Sequence, residues 1–165
     1  MRWITVCEQA LPHFDPACFP ARPHLTTVRG PRSGGEPSNP AARRWYHEVI
    51  GKGRCPIVDT WWQTETGAIM ISPLPGAIAT KPGSCTRPFF GVLPEVVKRD
   101  GTVCAANEGG FLILRRPWPS MLRGIHGHPE RYAKPYRSEG PGPYSTAAGA
   151  RPPAARAYAW AAEAA

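Results

Sequence analysis

Residues 59–67, Asp-Thr-Trp-Trp-Gln-Thr-Glu-Thr-Gly, form a polar and aromatic crest between two apolar runs, Cys55-Pro56-Ile57-Val58 and Ala68-Ile69-Met70-Ile71. Ile57, Val58 and the run Ile69–Ile71 have the β-branched character of buried strands, so the crest is expected in the loop between two strands, at a sheet end. In an α/β layer the strand ends are where ligands bind.

The crest places the adjacent rings of Trp61 and Trp62 beside two carboxylates (Asp59, Glu65), an amide (Gln63) and three hydroxyls (Thr60, Thr64, Thr66). Flat rings wall a purine or a small acyl group, hydroxyls and an amide hold phosphate oxygens, and a carboxylate holds Mg²⁺ on those phosphates. On spacing alone a packing reading outweighs that one. In it one Trp enters the core, the other covers it, and the polar side chains make turn hydrogen bonds.

Upstream, Leu25-Thr26-Thr27-Val28 reads as a short strand running into a basic, glycine-containing loop, Gly30 to Gly35. That loop lacks a Gly-Lys-Ser/Thr ending, which excludes a P-loop. A helix is expected from Pro40 to Ile50, with Asn39 as its N-cap and Gly51 as a left-handed C-terminal residue. Ala42, Trp45 and Val49, with Tyr46 or Ile50, share its core face. Strand, helix and the strand before Asp59 then make a β-α-β unit with parallel strands. Beyond Pro73 the texture changes to short apolar runs separated by turns. Strands are expected at Phe89–Val97, Thr102–Cys104 and Phe111–Leu114, with turns at Arg99-Asp100-Gly101 and Asn107–Gly110. That pattern gives antiparallel hairpins. The fold class is therefore α/β, a β-α-β segment followed by a small antiparallel β-barrel or meander with irregular termini. The alanine-rich end, Ala154–Ala165, reads as a loosely held helix or a frayed tail.

With 21 prolines and 17 glycines in 165 residues, much of the chain must be loop. The formal charge of +8 is spread over scattered arginines without aromatic interleaving, which argues against a nucleic-acid partner. Five cysteines at wide spacing, none in a C-x-x-C pair, argue against both a zinc site and a disulfide framework and suit a reducing compartment. His126 and His128 lack a third ligand nearby and read as a solvated turn. No run is long enough for a membrane helix, and no signal-peptide core opens the chain, so a soluble, cytoplasmic protein is expected, with no membrane partner.

The crest, followed by Met70-Ile71-Ser72-Pro73-Leu74-Pro75-Gly76, resembles the signature of the acetyl-CoA synthetase family, the acetate-specific adenylate-forming acyl-CoA synthetases. Gly35-Glu36-Pro37, Trp45–Gly51, Arg87-Pro88-Phe89-Phe90-Gly91-Val92 and Arg116-Pro117-Trp118-Pro119-Ser120-Met121 carry the same resemblance, which runs from about Leu25 to Ala150. A run as long as 59–67 is far more specific than a lone glycine motif. The resemblance divides the chain into an unmatched, irregular leader (1–24), a partial AMP-binding domain (25–132) and a degenerate, disordered or loosely helical tail (133–165).

What the resemblance implies is a ligase that activates acetate with ATP and passes the acetyl group to CoA, with ATP, Mg²⁺ and CoA as its cofactors. By that resemblance Gly35, Glu36 and Pro37 line the adenine. Asp59, Thr60, Trp61, Trp62, Gln63 and Thr64 wrap the adenine and the α-phosphate, and Glu65 holds Mg²⁺. Trp62 and Gly34 bound the acetate pocket. The family's glycine- and hydroxyl-rich phosphate loop and its catalytic-lysine lid are not found in these residues. Ala148 stands where the family places a ribose-binding aspartate, Glu163 where it places an arginine, and Gly34 where it places a valine. The expectation is a fragment, inactive alone, that self-associates or pairs with a complementary fragment. The alternative is a non-catalytic remnant or interaction protein with at most weak adenine-nucleotide binding.

Overall fold

The computed structural model describes residues 2–6, 28–34, 40–136 and 143–152. Its first sheet is parallel, in the order β1 (Arg2–Val6), β2 (Val28–Gly34), β3 (Val58–Thr60). Val6 lies beside Ser33 in the register of β1 with β2, and Gly34 lies beside Thr60 in that of β2 with β3. All three strands therefore end along one edge, from which the crest departs. β2, the helix α1 (Pro40–Trp45) and β3 form the expected β-α-β unit.

Three expectations for this half are corrected. The leader contains a strand, β1, while residues 7–27 lie outside the described set. The upstream strand is Val28–Gly34, so most of the glycine-containing segment read as a loop is strand. Neighbours on both sides satisfy its backbone groups, and this outweighs its poor β-propensity. The helix also changes pitch. After Trp45, Tyr46–Ile50 follow a wider π-type turn, and the Gly51 amide closes it on Tyr46 O at 2.9 Å. Gly51 is right-handed, with φ −76°. Its need for glycine is steric, because a Cβ there would lie 2.7 Å from His47 O. Asn39, the expected cap, lies outside the described residues. The core face is shifted from the one expected: Tyr46 and Ile50 are buried against Ile57, while Trp45 and Val49 are only partly buried alongside.

The second sheet is antiparallel, in the order β4 (Pro94–Val97), β5 (Gly110–Leu114), β6 (Tyr144–Ala150). The turn at 99–101 closes as its Asp-Gly chemistry predicts. Gly101 donates to Lys98 O at 3.0 Å, the Asp100 carboxylate accepts the Thr102 amide at 2.9 Å, and Val103 bridges back to Val97. Phe89–Leu93 is not part of β4. Val92 donates to Phe89 O at 3.1 Å in a turn, leaving Phe90 80% exposed. Ile69–Ile71 is likewise no regular strand, Ile71 making single antiparallel bridges to Trp61 and Pro88.

The tail is corrected as well. A second helix, α2 (Pro129–Tyr136), precedes β6, and β6 is integral to the core. Tyr144 and Ala150 are buried with Val96, Leu112 and Leu114, and the Thr146 hydroxyl donates to Leu112 O at 2.7 Å. Trp61, Met70 and Ile71 join the same cluster, so the antiparallel sheet is the floor on which the crest rests. The expected alanine-rich helix, Ala154–Ala165, lies outside the described residues. No helix among the described residues is long and apolar enough to cross a membrane.

Candidate active site

The crest begins as strand and ends as a tight turn. Asp59 and Thr60 are the last residues of β3, Trp61 is bridged to Ile71, and Thr64–Thr66 form one 3₁₀ turn closed by Gly67 at φ 63°. Strand alternation sorts the two tryptophans. Trp61 is 7% exposed and packed in the core, whereas Trp62 points outward and is 46% exposed.

Each polar side chain of the crest has a defined partner or a free face. Asp59, buried at 3% exposure, forms an ion pair with Arg43 of α1, Nε to Oδ2 at 2.9 Å. The contact is close in distance but off-angle as a hydrogen bond, and a second arm of Arg43, Nη2, donates to Ile57 O at 3.0 Å. Asp59 also lies near Cys85, whose thiol is pushed up to about 12 by burial and, secondarily, by that carboxylate. Gln63 is held by β6: Nε2 donates to Thr146 O at 2.7 Å, and Oε1 accepts from the Tyr144 hydroxyl at 3.4 Å. Thr66 is fully buried. Its Oγ1 accepts the Gln63 amide at 2.9 Å, and its carbonyl accepts from Trp118 Nε1 and Ser120 Oγ, both at 2.8 Å. Thr64 is exposed.

Glu65 is half-buried beneath the crest. Its Oε1 accepts the Tyr136 hydroxyl at 2.9 Å, and its carbonyl accepts the Leu122 amide at 3.0 Å. Tyr136 in turn stacks on Tyr144, with ring centroids 5.4 Å apart and planes within 4°, and Tyr144 meets Trp118 edge to face at 5.1 Å. Burial raises the pKa of both tyrosines, and Glu65 adds to the rise, so both phenols stay neutral donors at physiological pH. Beside this aromatic stack an open groove of about 440 Å³ is lined by Trp118, Met121, Leu122, Arg123 and Tyr132.

Of the residues singled out by sequence, the structure brings Gly34 beside Thr60 and gathers Thr60 to Glu65 along the carboxyl edge of the parallel sheet. Gly35, Glu36 and Pro37 lie outside the described residues. The side chains of Asp59, Trp61, Gln63 and Thr66 are engaged within the fold, only Thr66 of the polar ones through turn hydrogen bonds. Trp62 and Thr64 are exposed, and Glu65 is half-buried. Arg43, Tyr136 and Tyr144, which hold the crest, were not identified from sequence, since no local spacing links residue 65 to residue 136. His126 and His128 are exposed, as a solvated turn requires, and no cluster of three or more metal-ligating side chains occurs among the described residues. Ala148 sits on β6, where its amide donates to Thr146 Oγ1 at 3.2 Å.

The profile of the AMP-binding enzymes matches residues 5–126 of this chain. The chain belongs to the AMP-binding enzyme family. Within it, the acetyl-coenzyme A synthetase of Chlorobaculum tepidum is 61% identical over 127 residues, which make up 77% of this chain and 19% of that protein. That of Methylobacillus flagellatus is 55% identical over 121 residues, 73% of this chain and 18% of that protein. That of Deinococcus radiodurans is 53% identical over 133 residues, 81% of this chain and 20% of that protein. The chain thus spans about a fifth of the length of the curated relatives it matches. The family match begins at residue 5, within the stretch expected from sequence to be unmatched.

Proposed function

We propose that this chain carries part of the adenylate-forming site of an acetate–CoA ligase. In the complete reaction a carboxylate oxygen of acetate attacks the α-phosphorus of ATP, the bond to pyrophosphate breaks, and the CoA thiol then displaces AMP from the acetyl-adenylate. The observation that carries the reading is the position of the 59–67 crest, at the carboxyl edge of a parallel sheet where α/β layers bind ligands. Identities of 53–61% to acetyl-coenzyme A synthetases over most of the chain support the substrate class.

In this reading Trp62, outward and half-exposed, walls the acyl pocket with Gly34. Trp62 and Thr64 offer their side chains to the nucleotide, while Asp59, Thr60, Trp61 and Gln63 set the backbone against which adenine lies. Gly35, Glu36 and Pro37 complete the adenine side. Glu65 suits Mg²⁺ in its donor set, because that ion takes one or two carboxylates together with phosphate oxygens and water. Tyr136 holds one Glu65 oxygen, and the other would be the one offered to the metal. Bound Mg²⁺ would neutralise charge on the phosphates. The protein's share of the first step is to orient acetate and phosphate and to stabilise the developing charge.

The 165 residues by themselves are read as inactive, because Ala148 offers no bidentate acceptor to the ribose hydroxyls and groups that act as a unit leave little activity when one is lost. Two measurements test this reading. Millimolar Mg-ATP should shift amide and indole resonances at Trp62 and Thr64 in a heteronuclear NMR spectrum, and an unchanged spectrum refutes the nucleotide site. Acetate-dependent exchange of pyrophosphate into ATP should be absent, and robust exchange refutes the inactivity.

A further inference from the structure

Glu65 leaves the crest pointing down toward α2 and β6, and the side chain that meets it comes from 71 positions away. The Tyr136 hydroxyl donates to Oε1 at 2.9 Å. Its ring lies flat on Tyr144, whose hydroxyl reaches Gln63, and Tyr144 is locked against Trp118, whose indole N–H binds the Thr66 carbonyl. The stack thus meets the crest at Gln63, Glu65 and Thr66, and at Glu65 it contacts a charged group. A carboxylate with one oxygen fixed by a neutral phenol has lost rotation about its terminal torsion, so its second oxygen keeps one direction.

We propose that Tyr136 is a positioning residue that orients the Glu65 carboxylate toward the metal on a bound nucleoside triphosphate. The inference rests on the assignment of Glu65 to Mg²⁺ given above and extends it to the partner that aims the ligand. Hydrogen bonds to a ligating carboxylate set its orientation, and their loss typically lowers metal affinity about 10- to 100-fold. The Tyr136→Phe change removes only the hydroxyl and keeps the ring that stacks on Tyr144.

The test is calorimetric titration of the full chain with ATP, once in EDTA and once in excess Mg²⁺. The ratio of the two affinities is the Mg²⁺ gain. Tyr136→Phe should leave affinity in EDTA within about twofold of wild type and reduce the Mg²⁺ gain about tenfold. Glu65→Gln should reduce the gain at least as far, and the double variant should show no additional loss, because the tyrosine acts through the carboxylate. A merely structural role would lower both affinities together and leave their ratio unchanged. A wild-type Mg²⁺ gain in Tyr136→Phe, or additive losses in the double variant, overturns the proposal. If the Phe variant does not fold, Glu65→Asp, which withdraws the carboxylate from Tyr136 while keeping its charge, should lose the gain, and its retention overturns the proposal. ATP binding in EDTA with no Mg²⁺ gain in wild type removes the metal assignment and the positioning with it. Absence of ATP binding in either condition removes the nucleotide reading itself.

Discussion

Replacing Arg43 by methionine should destabilise the chain by about 3–5 kcal/mol, the usual cost of removing one partner of a buried pair. Side-chain exposures of 10% for Arg43 and 4% for Asp59 put both charges out of bulk water, 2.9 Å apart. At an effective dielectric constant of about 20 their attraction at that distance is roughly 6 kcal/mol. Desolvating the two ions costs several kcal/mol each, so the intact pair contributes little net stability. The asymmetry appears when one member goes: Arg43→Met leaves the Asp59 carboxylate at 3% exposure without its cation and also removes the bond to Ile57 O. With a urea m-value of about 2 kcal/mol/M, the midpoint should fall by about 2 M. The double variant Arg43→Met/Asp59→Leu, which buries apolar groups in place of both charges, should recover most of that loss. Urea unfolding followed by far-UV circular dichroism compares wild type, the two single variants Arg43→Met and Asp59→Leu, and the double variant. A midpoint within 0.5 M of wild type for Arg43→Met, or a double variant as unstable as the sum of the singles, refutes the reasoning.

Gly67→Ala should cost more than about 2 kcal/mol, since it strains a residue at φ 63° and places a Cβ 2.6 Å from the backbone oxygen of Ser120; a urea midpoint like wild type would show that the crest is not seated on that loop. Cys85, pushed up to about 12 by burial and then by Asp59, should react with a disulfide reagent at pH 8 about a thousandfold more slowly than a free thiol, and a rate near that of glutathione refutes the placement. The sign of its contribution to stability follows. Below pH 9 both folded and unfolded chains keep the proton, and between about pH 9 and 12 only the folded chain does, so stability should fall as pH rises through that window and the fall should vanish in Cys85→Ala. Phe90 at 80% exposure, edge to face with Phe89 at 5.4 Å and with Leu93 at 45% exposure, should drive self-association. Sedimentation of the wild type should show oligomers that Phe89→Ser/Phe90→Ser lessens, and a clean monomer at high concentration refutes it.

Local chemistry was enough for the parts of the fold whose partners are near in sequence. The Asp100-Gly101 turn, the packing of Trp45 and Val49 on the helix face, and the parallel pairing across α1 each depend on a periodicity or on a turn residue with a fixed conformational preference. β6 had no such signal. Tyr-Ser-Thr-Ala-Ala-Gly-Ala is poor in β-branched residues and fell in the tail expected to be disordered or loosely helical, yet β5 supplies its hydrogen bonds and the core takes in Tyr144 and Ala150. The strand Val28–Gly34 was misplaced for the same reason. Its glycines and proline argue for a loop until β1 and β3 flank it. The space that requires Gly51 is closed by His47 O and Cys55 O, and the His47 ring bonds the Cys55 carbonyl, contacts that apolar periodicity does not encode.

The same division runs through the candidate site. The residue types in 59–67 were sufficient to suggest nucleotide chemistry, but not to say which side chains are scaffold and which are free. That sorting is made by contacts from far along the chain: Thr146 and Tyr144 on Gln63, Tyr136 on Glu65, Trp118 and Ser120 on Thr66. Strand alternation then leaves Trp62 outward. A polar crest in a loop would ordinarily lose considerable conformational entropy on ordering around a ligand. Here part of that loss is taken at folding, since β6 and α2 hold Gln63 and Glu65 in the crest. Substitutions beneath the crest should therefore weaken ligand binding without touching the ligand.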